Sequence, residues 1–152
     1  MKNDIPNDLR NALEAFESGW LLKIINENRP EVYKALKAII DNRNEYNDSY
    51  VQKALFALGR WKNPEIVSSI NQILPDLNEI QRVTAVNALG NIGNQQALKV
   101  LVKYSNDSSA QVRSALIDAL SNYKDSQAQR IILSISKNDT TEWVRNKART
   151  KI

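Results

Sequence analysis

"QRVTAVNALGNIGNQQALKVLVKYS", residues 81–105, returns without a gap as "YVQKALFALGRWKNPEIVSSINQIL" at residues 50–74 and as "VRSALIDALSNYKDSQAQRIILSIS" at residues 112–136. The period is 31 residues. Ala57, Ala88 and Ala119 fall in register, as do Leu58, Leu89 and Leu120; Gly59, Gly90 and Ser121 follow, and Asn63, Asn94 and Asp125 come four residues later. A period of this length is the mark of a stacked-repeat architecture, in which each unit covers its apolar face with the next.

Each unit reads as two helices. Ala54, Ala57 and Leu58 stand at helical spacing in the first, and Gly59 or Gly90 is expected to end it, glycine being favoured just past a helix terminus. Asn63, Asn94 and Asp125 are expected to cap the second, because their side-chain oxygens accept an otherwise unpaired backbone N–H. Pro64 then takes the first helical position, where a missing N–H costs nothing. Ile66, Val67, Ile70 and Ile73 form the apolar stripe of that helix; Ala97, Leu98, Leu101 and Tyr104, then Ala128, Ile131, Ile132 and Ile135, repeat it.

Outward from these units, "PEVYKALKAII" from Pro30 matches "PEIVSSINQIL" from Pro64, which predicts a diverged first repeat. The expected organisation is one all-α domain over 1–152, an α-solenoid of about nine or ten helices. It has a cap helix near 6–17, repeats near 19–41, 48–74, 79–105 and 110–136, and a half-repeat at 141–152.

Composition narrows the chemistry. There is no cysteine and no histidine among the 152 residues. Disulfides, thiolate nucleophiles, zinc–sulfur sites and every His-based triad or metal site are thereby excluded. Paired carboxylates at diagnostic spacing and Gly-rich phosphate loops are also missing, so no enzyme activity, cofactor or metal is expected. No apolar run reaches the ~18 residues of a membrane span. The beginning, "MKNDIPNDLRNALEAF", lacks the apolar core of a signal peptide, so a cytoplasmic address is expected. The net charge of +4 comes entirely from residues 76–152, with eleven Lys/Arg against seven Asp/Glu.

"VTAVNALGNIGNQQALKVLVKYSNDSSAQVRSAL", residues 83–116, resembles the short bacterial HEAT-like repeat of the type found in phycobilisome lyases. The shared features are a D…VR lead-in, an ALG-x-IG junction and an A-L-x-x-L second helix. The resemblance covers residues 80–136 best, and the proline kink of larger HEAT proteins is missing. It implies a HEAT-like superhelix whose second helices line a concave binding face, and a non-enzymatic protein-interaction module: a regulatory adaptor, a chaperone-like protein or an inhibitor of the immunity type. Two alternatives go with it, a nucleic-acid binder similar to the DNA-alkylation-repair HEAT-like proteins and a bilin lyase-like subunit.

Candidate residues follow. Asp76, Asp107 and Asp139 each precede an arginine (Arg82, Arg113, Arg145) by six residues. Recurrence at every junction points to a structural staple, and the resemblance implies a ladder in which each arginine reaches acids of its own and the neighbouring unit. Lys34, Ser68, Lys99 and Arg130 share one register on the second helices, with Lys37, Gln72 and Lys103 nearby; these cations would suit a protein with an acidic surface, or else form a solvated face. Trp61 and Tyr123 align with Ile92 and are expected to pack. Trp143 is expected to be partly exposed at an open C-terminal end that would suit a partner or a second copy. In the tail "VRNKARTKI", Val144, Ala148 and Ile152 are expected on one face, and Arg145, Lys147, Arg149 and Lys151 supply a weak nucleic-acid signal.

Overall fold

Ten α-helices follow one another in the computed structural model, which describes residues 5–152. They are α1 (Asn7–Glu14), α2 (Gly19–Asn26), α3 (Pro30–Asp41), α4 (Asp48–Trp61), α5 (Ile66–Ile73), α6 (Glu79–Ile92), α7 (Gln95–Leu101), α8 (Ala110–Ser121), α9 (Ser126–Asn138) and α10 (Glu142–Arg149). Short 3₁₀ turns extend α3, α5 and α7, and there is no strand among the described residues. The architecture is an all-α solenoid. First helices α4, α6, α8 and α10 stack in order, while α3, α5, α7 and α9 form a second layer.

Local chemistry sets the helix starts. The side chains of Asn47, Asn78, Asn94, Ser109 and Asp125 each accept a backbone N–H from the first turn they precede. Asn78 and Gln81 close a reciprocal capping box, and the buried Gln81 also donates through Nε2 to the Asp48 carbonyl one unit back at 3.2 Å. After Pro64 the chain makes a turn first, with Asn63 Oδ1 accepting from the Glu65 amide, and α5 begins at Ile66.

Gly59 and Gly90 do not end their helices. α4 runs on to Trp61 and stops at Lys62 (φ 55°); α6 runs to Ile92 and stops at Gly93 (φ 69°), both left-handed. The reason for glycine at 59 and 90 is distance: a Cβ on Gly59 would lie 2.5 Å from Ala88 Cβ, and one on Gly90 would lie 2.7 Å from Ala119 Cβ. Bare backbone against alanine brings the first helices together. Because α6 and α8 have neighbours on both sides, they are apolar around most of their circumference, with Ala85, Val86, Ala88 and Leu89, and Val112, Leu116, Ile117 and Leu120, all buried.

The aligned aromatics pack as the repeat requires. Tyr123 is buried and its hydroxyl donates to the Leu89 carbonyl at 3.1 Å. Trp61 meets Tyr33 edge-on with ring centroids 5.7 Å apart, and its Nε1 donates to Asn28 Oδ1. At the other end α10 buries Val144 and Ala148, but Ile152 is 66% exposed. The helix stops at Arg149, so Ile152 leaves the face its spacing assigned to it.

Candidate functional site

The arginine ladder is built across units. Arg113 Nε and Nη2 donate to the two carboxylate oxygens of Asp139 at 2.7 and 3.1 Å, twenty-six residues on. Arg82 meets Asp107 in the same fork at 3.0 and 3.2 Å. The aspartate six residues upstream offers its backbone instead: Arg113 Nη1 donates to the Asp107 carbonyl at 2.7 Å. Arg145 donates to the Asp139 carbonyl in the same way. No arginine of the ladder pairs with the carboxylate of its own unit, in contrast to the expectation that acids of both units are reached.

Local geometry explains the choice. Asp107 and Asp139 open Asx turns, their Oδ1 atoms accepting from the Ser109 and Thr141 amides at 2.8 Å each. The turn directs the carboxylate back toward the preceding unit and leaves the carbonyl facing the helix that follows. Asp76 lacks this turn, since Asn78 caps α6 in its place; it is exposed and pairs with Arg43, while Arg82 Nη1 takes the Leu77 carbonyl.

The Asp139 side chain is 3% exposed. Burial pushes its carboxyl up, but the hydrogen bonds from Arg113 and the Thr141 amide, with the charges of Arg113 and Arg145, prevail and hold it below its ordinary value. The folded chain therefore binds fewer protons there than the unfolded chain. That stabilisation is complete above about pH 5 and is lost progressively as the pH falls through the unfolded and then the folded value. Thermal melts of the wild type are expected to fall from about pH 5 downward, and Asp139→Asn, less stable at neutral pH, to show a flatter acid limb. Parallel profiles for the two proteins would contradict this.

The second-helix cations have different surroundings. Lys34 on α3, Lys99 on α7 and Arg130 on α9 are exposed, and none has an ion-pair partner among the described residues. Lys103 is also exposed but donates to Asn71 Oδ1 at 3.1 Å, tying the end of α7 to α5. The tail is not a free basic strip. Lys147 holds Asp118 and Ser114 Oγ, Lys151 lies 3.7 Å from Asp118, and Arg149 donates to Asn146 Oδ1. Trp143 is 45% exposed.

Sequence reasoning missed an apolar surface near the beginning of the chain. Phe16, between α1 and α2, is fully exposed, and Trp20 is 65% exposed. In the same region Ala12, Leu21, Lys53, Phe56 and Thr84 line a cavity of about 240 Å³. Lys53 Nζ donates to the Leu13 and Ala15 carbonyls at 2.6 Å each, which closes the end of α1. Phe16 and Trp20 fall outside the aligned repeats, so no register position marks them.

Among the described residues no cluster of acidic side chains is placed to hold a metal ion, and no helix is long and apolar enough to cross a membrane. Comparison with known families matches residues 69–151, more than half of the chain, to the model for HEAT repeats. No curated protein matches the chain.

Proposed function

Because the chain belongs to the HEAT repeat family, whose solenoids commonly serve as protein-interaction modules, we propose that it is a non-enzymatic adaptor that holds an acidic segment of a partner protein along its second helices. The observation that carries this reading is the division of labour among the cations. Arg82 and Arg113 are engaged inside the fold, and Lys147 and Lys151 are drawn to Asp118. Lys34, Lys99 and Arg130 occupy equivalent positions on three of the four units, Ser68 standing at that place on α5; they lie in solvent and form no ion pair among the described residues. Rigid surface complementarity supplies the rest of the mechanism, with Lys103 and Trp143 as flanking contacts.

The triple charge reversal Lys34→Glu, Lys99→Glu, Arg130→Glu tests it. Exposed positions of this kind are expected to change stability by no more than about 0.5 kcal/mol each. Native purification from the host is expected to recover a complex with the wild type that the folded triple variant loses. Retention of the complex would place the contact elsewhere. Binding to generic duplex DNA that falls steeply with salt, and is lost in the same variant, would assign the row to phosphates instead.

A further inference from the structure

Lys53 is a half-buried cation that meets no carboxylate. Its Nζ donates to the Leu13 and Ala15 carbonyls at 2.6 Å each, and it forms no ion pair among the described residues. An ammonium carries three N–H donors, so one remains. Elsewhere in the fold, cations drawn out of solvent meet an acid: Arg82 holds Asp107, Arg113 holds Asp139 and Lys147 holds Asp118. The repeat itself does not call for a lysine here, since the register counterparts of Lys53 are Thr84 on α6 and Ala115 on α8. Phe56 departs from the pattern in the same way. Its counterparts are Asn87 and Asp118, polar residues, yet α4 presents a ring that is 37% exposed.

These two departures meet in one place. Lys53 and Phe56 stand three residues apart on one face of α4, and with Gln52 they line the cavity of about 240 Å³ beside the α1–α2 hairpin. Ala12 and Leu21, buried members of that hairpin, line it too, together with Ser18 and Thr84. The fully exposed Phe16 lies in the loop between Ser18 and the Ala15 carbonyl that Lys53 holds. Closing the end of α1 accounts for the two carbonyl contacts, but not for an apolar ring at a polar register position or for the space beside it.

We propose that this cavity binds a small monocarboxylic acid with a compact apolar body, its carboxylate taking the remaining N–H of Lys53 and its body lying against Ala12, Leu21 and Phe56. Charge selects the anion: a half-buried ammonium that meets only carbonyl dipoles keeps a desolvation cost that a carboxylate offsets and a neutral ligand does not. Size selects a small acid, because at ~30 Å³ for each water-sized group the space admits about eight of them. The single charge and the apolar lining residues select one carboxylate on a hydrocarbon body rather than a polyanion. The site lies against first helices, away from the second-helix cations, and stands or falls independently of them.

Benzoate is the probe, titrated into the whole protein while the methyl signals of Ala12 and Leu21 are followed by NMR. Benzamide keeps its shape without the charge, and acetate keeps the charge without the ring. The expected result is a saturable shift with benzoate, and affinities about ten-fold or more weaker for benzamide and for acetate, the scale of a charge-assisted hydrogen bond and of a buried ring respectively. Lys53→Met is expected to bring benzoate down to the affinity of benzamide. Phe56→Asn leaves Lys53 and the end of α1 in place and installs the residue of the next unit; it is expected to keep the melting temperature and weaken benzoate about ten-fold or more. That variant and the benzoate-to-benzamide ratio of the wild type decide the matter even if Lys53→Met fails to fold. Equal affinity for benzoate and benzamide, an equal response to acetate, or unchanged benzoate binding in Phe56→Asn would overturn the proposal. So would signals of Ala12 and Leu21 that stay still at about 10 mM benzoate.

Discussion

Arg113→Ala is expected to lower stability by about 3–5 kcal/mol, the cost of removing one partner from a buried ion pair. The loss is large because four acceptor atoms are abandoned together: both carboxylate oxygens of Asp139, the Asp107 carbonyl and Thr141 Oγ1. The charge left behind sits on a side chain only 3% exposed. For a chain of this size each kcal/mol moves the melting temperature by about 2–4 °C, so the effect is measurable without extrapolation. Arg113→Lys keeps the charge but loses the planar fork and is expected to recover only part of the stability. Two other arginines serve as controls. Arg43→Ala removes an ion pair to a largely exposed Asp76 and is expected to cost between 0 and about 1 kcal/mol. Arg145→Ala removes a single carbonyl contact, worth about 1 kcal/mol. If thermal melts showed the three alanine variants to be equally destabilised, the buried fork would not be the source of the stability. Binding through the second-helix face, measured well below the melting temperature, is expected to survive in Arg113→Ala.

Gly90→Ala is expected to destabilise the fold by about 1–3 kcal/mol, against the sign of helix propensity. In an exposed helix interior the same change gains about 1 kcal/mol, because alanine loses less conformational freedom. Here the new methyl would lie 2.7 Å from Ala119 Cβ and 2.8 Å from Ala119 Cα, and the second of these is backbone. No rotamer change relieves it; α6 and α8 must move apart as bodies, loosening the packing of Ala85, Leu89, Leu116 and Leu120 between them. Gly59→Ala meets Ala88 at 2.5 Å and is expected to behave alike. Gly19→Ala, at the first residue of α2 with nothing within 4 Å of the added methyl, is expected to be neutral or to stabilise by up to about 1 kcal/mol. Denaturant midpoints decide it. A higher midpoint for Gly90→Ala would mean that the first helices do not approach as closely as described.

Much of the fold was legible in one dimension because its determinants are local. Asn78 and Gln81 close a capping box three residues apart, Asp125 caps α9 two residues away, and the apolar stripe of each second helix repeats at helical spacing. The 31-residue period then states that every unit must cover the next, which is sufficient for an all-α solenoid. The same periodicity explains why the exposure of Phe16 and Trp20 is not legible in the sequence: they lie before the aligned units, and exposure of a large apolar side chain is a property of what fails to pack on it.

The repeat, the pairing of helices within each unit and the residues that recur at every junction can all be read along the chain. What those recurring residues touch depends on how the units stack. Asp107 and Arg113 lie six residues apart, yet that aspartate offers Arg113 a carbonyl and sends its carboxylate to Arg82, because an Asx turn orients the two groups in opposite directions. Gly59 and Gly90 look like helix ends in the chain but mark the closest approach of neighbouring helices in space. Interhelix distance and side-chain direction arise only when units stack, since both depend on residues about 30 positions away that no local spacing contains.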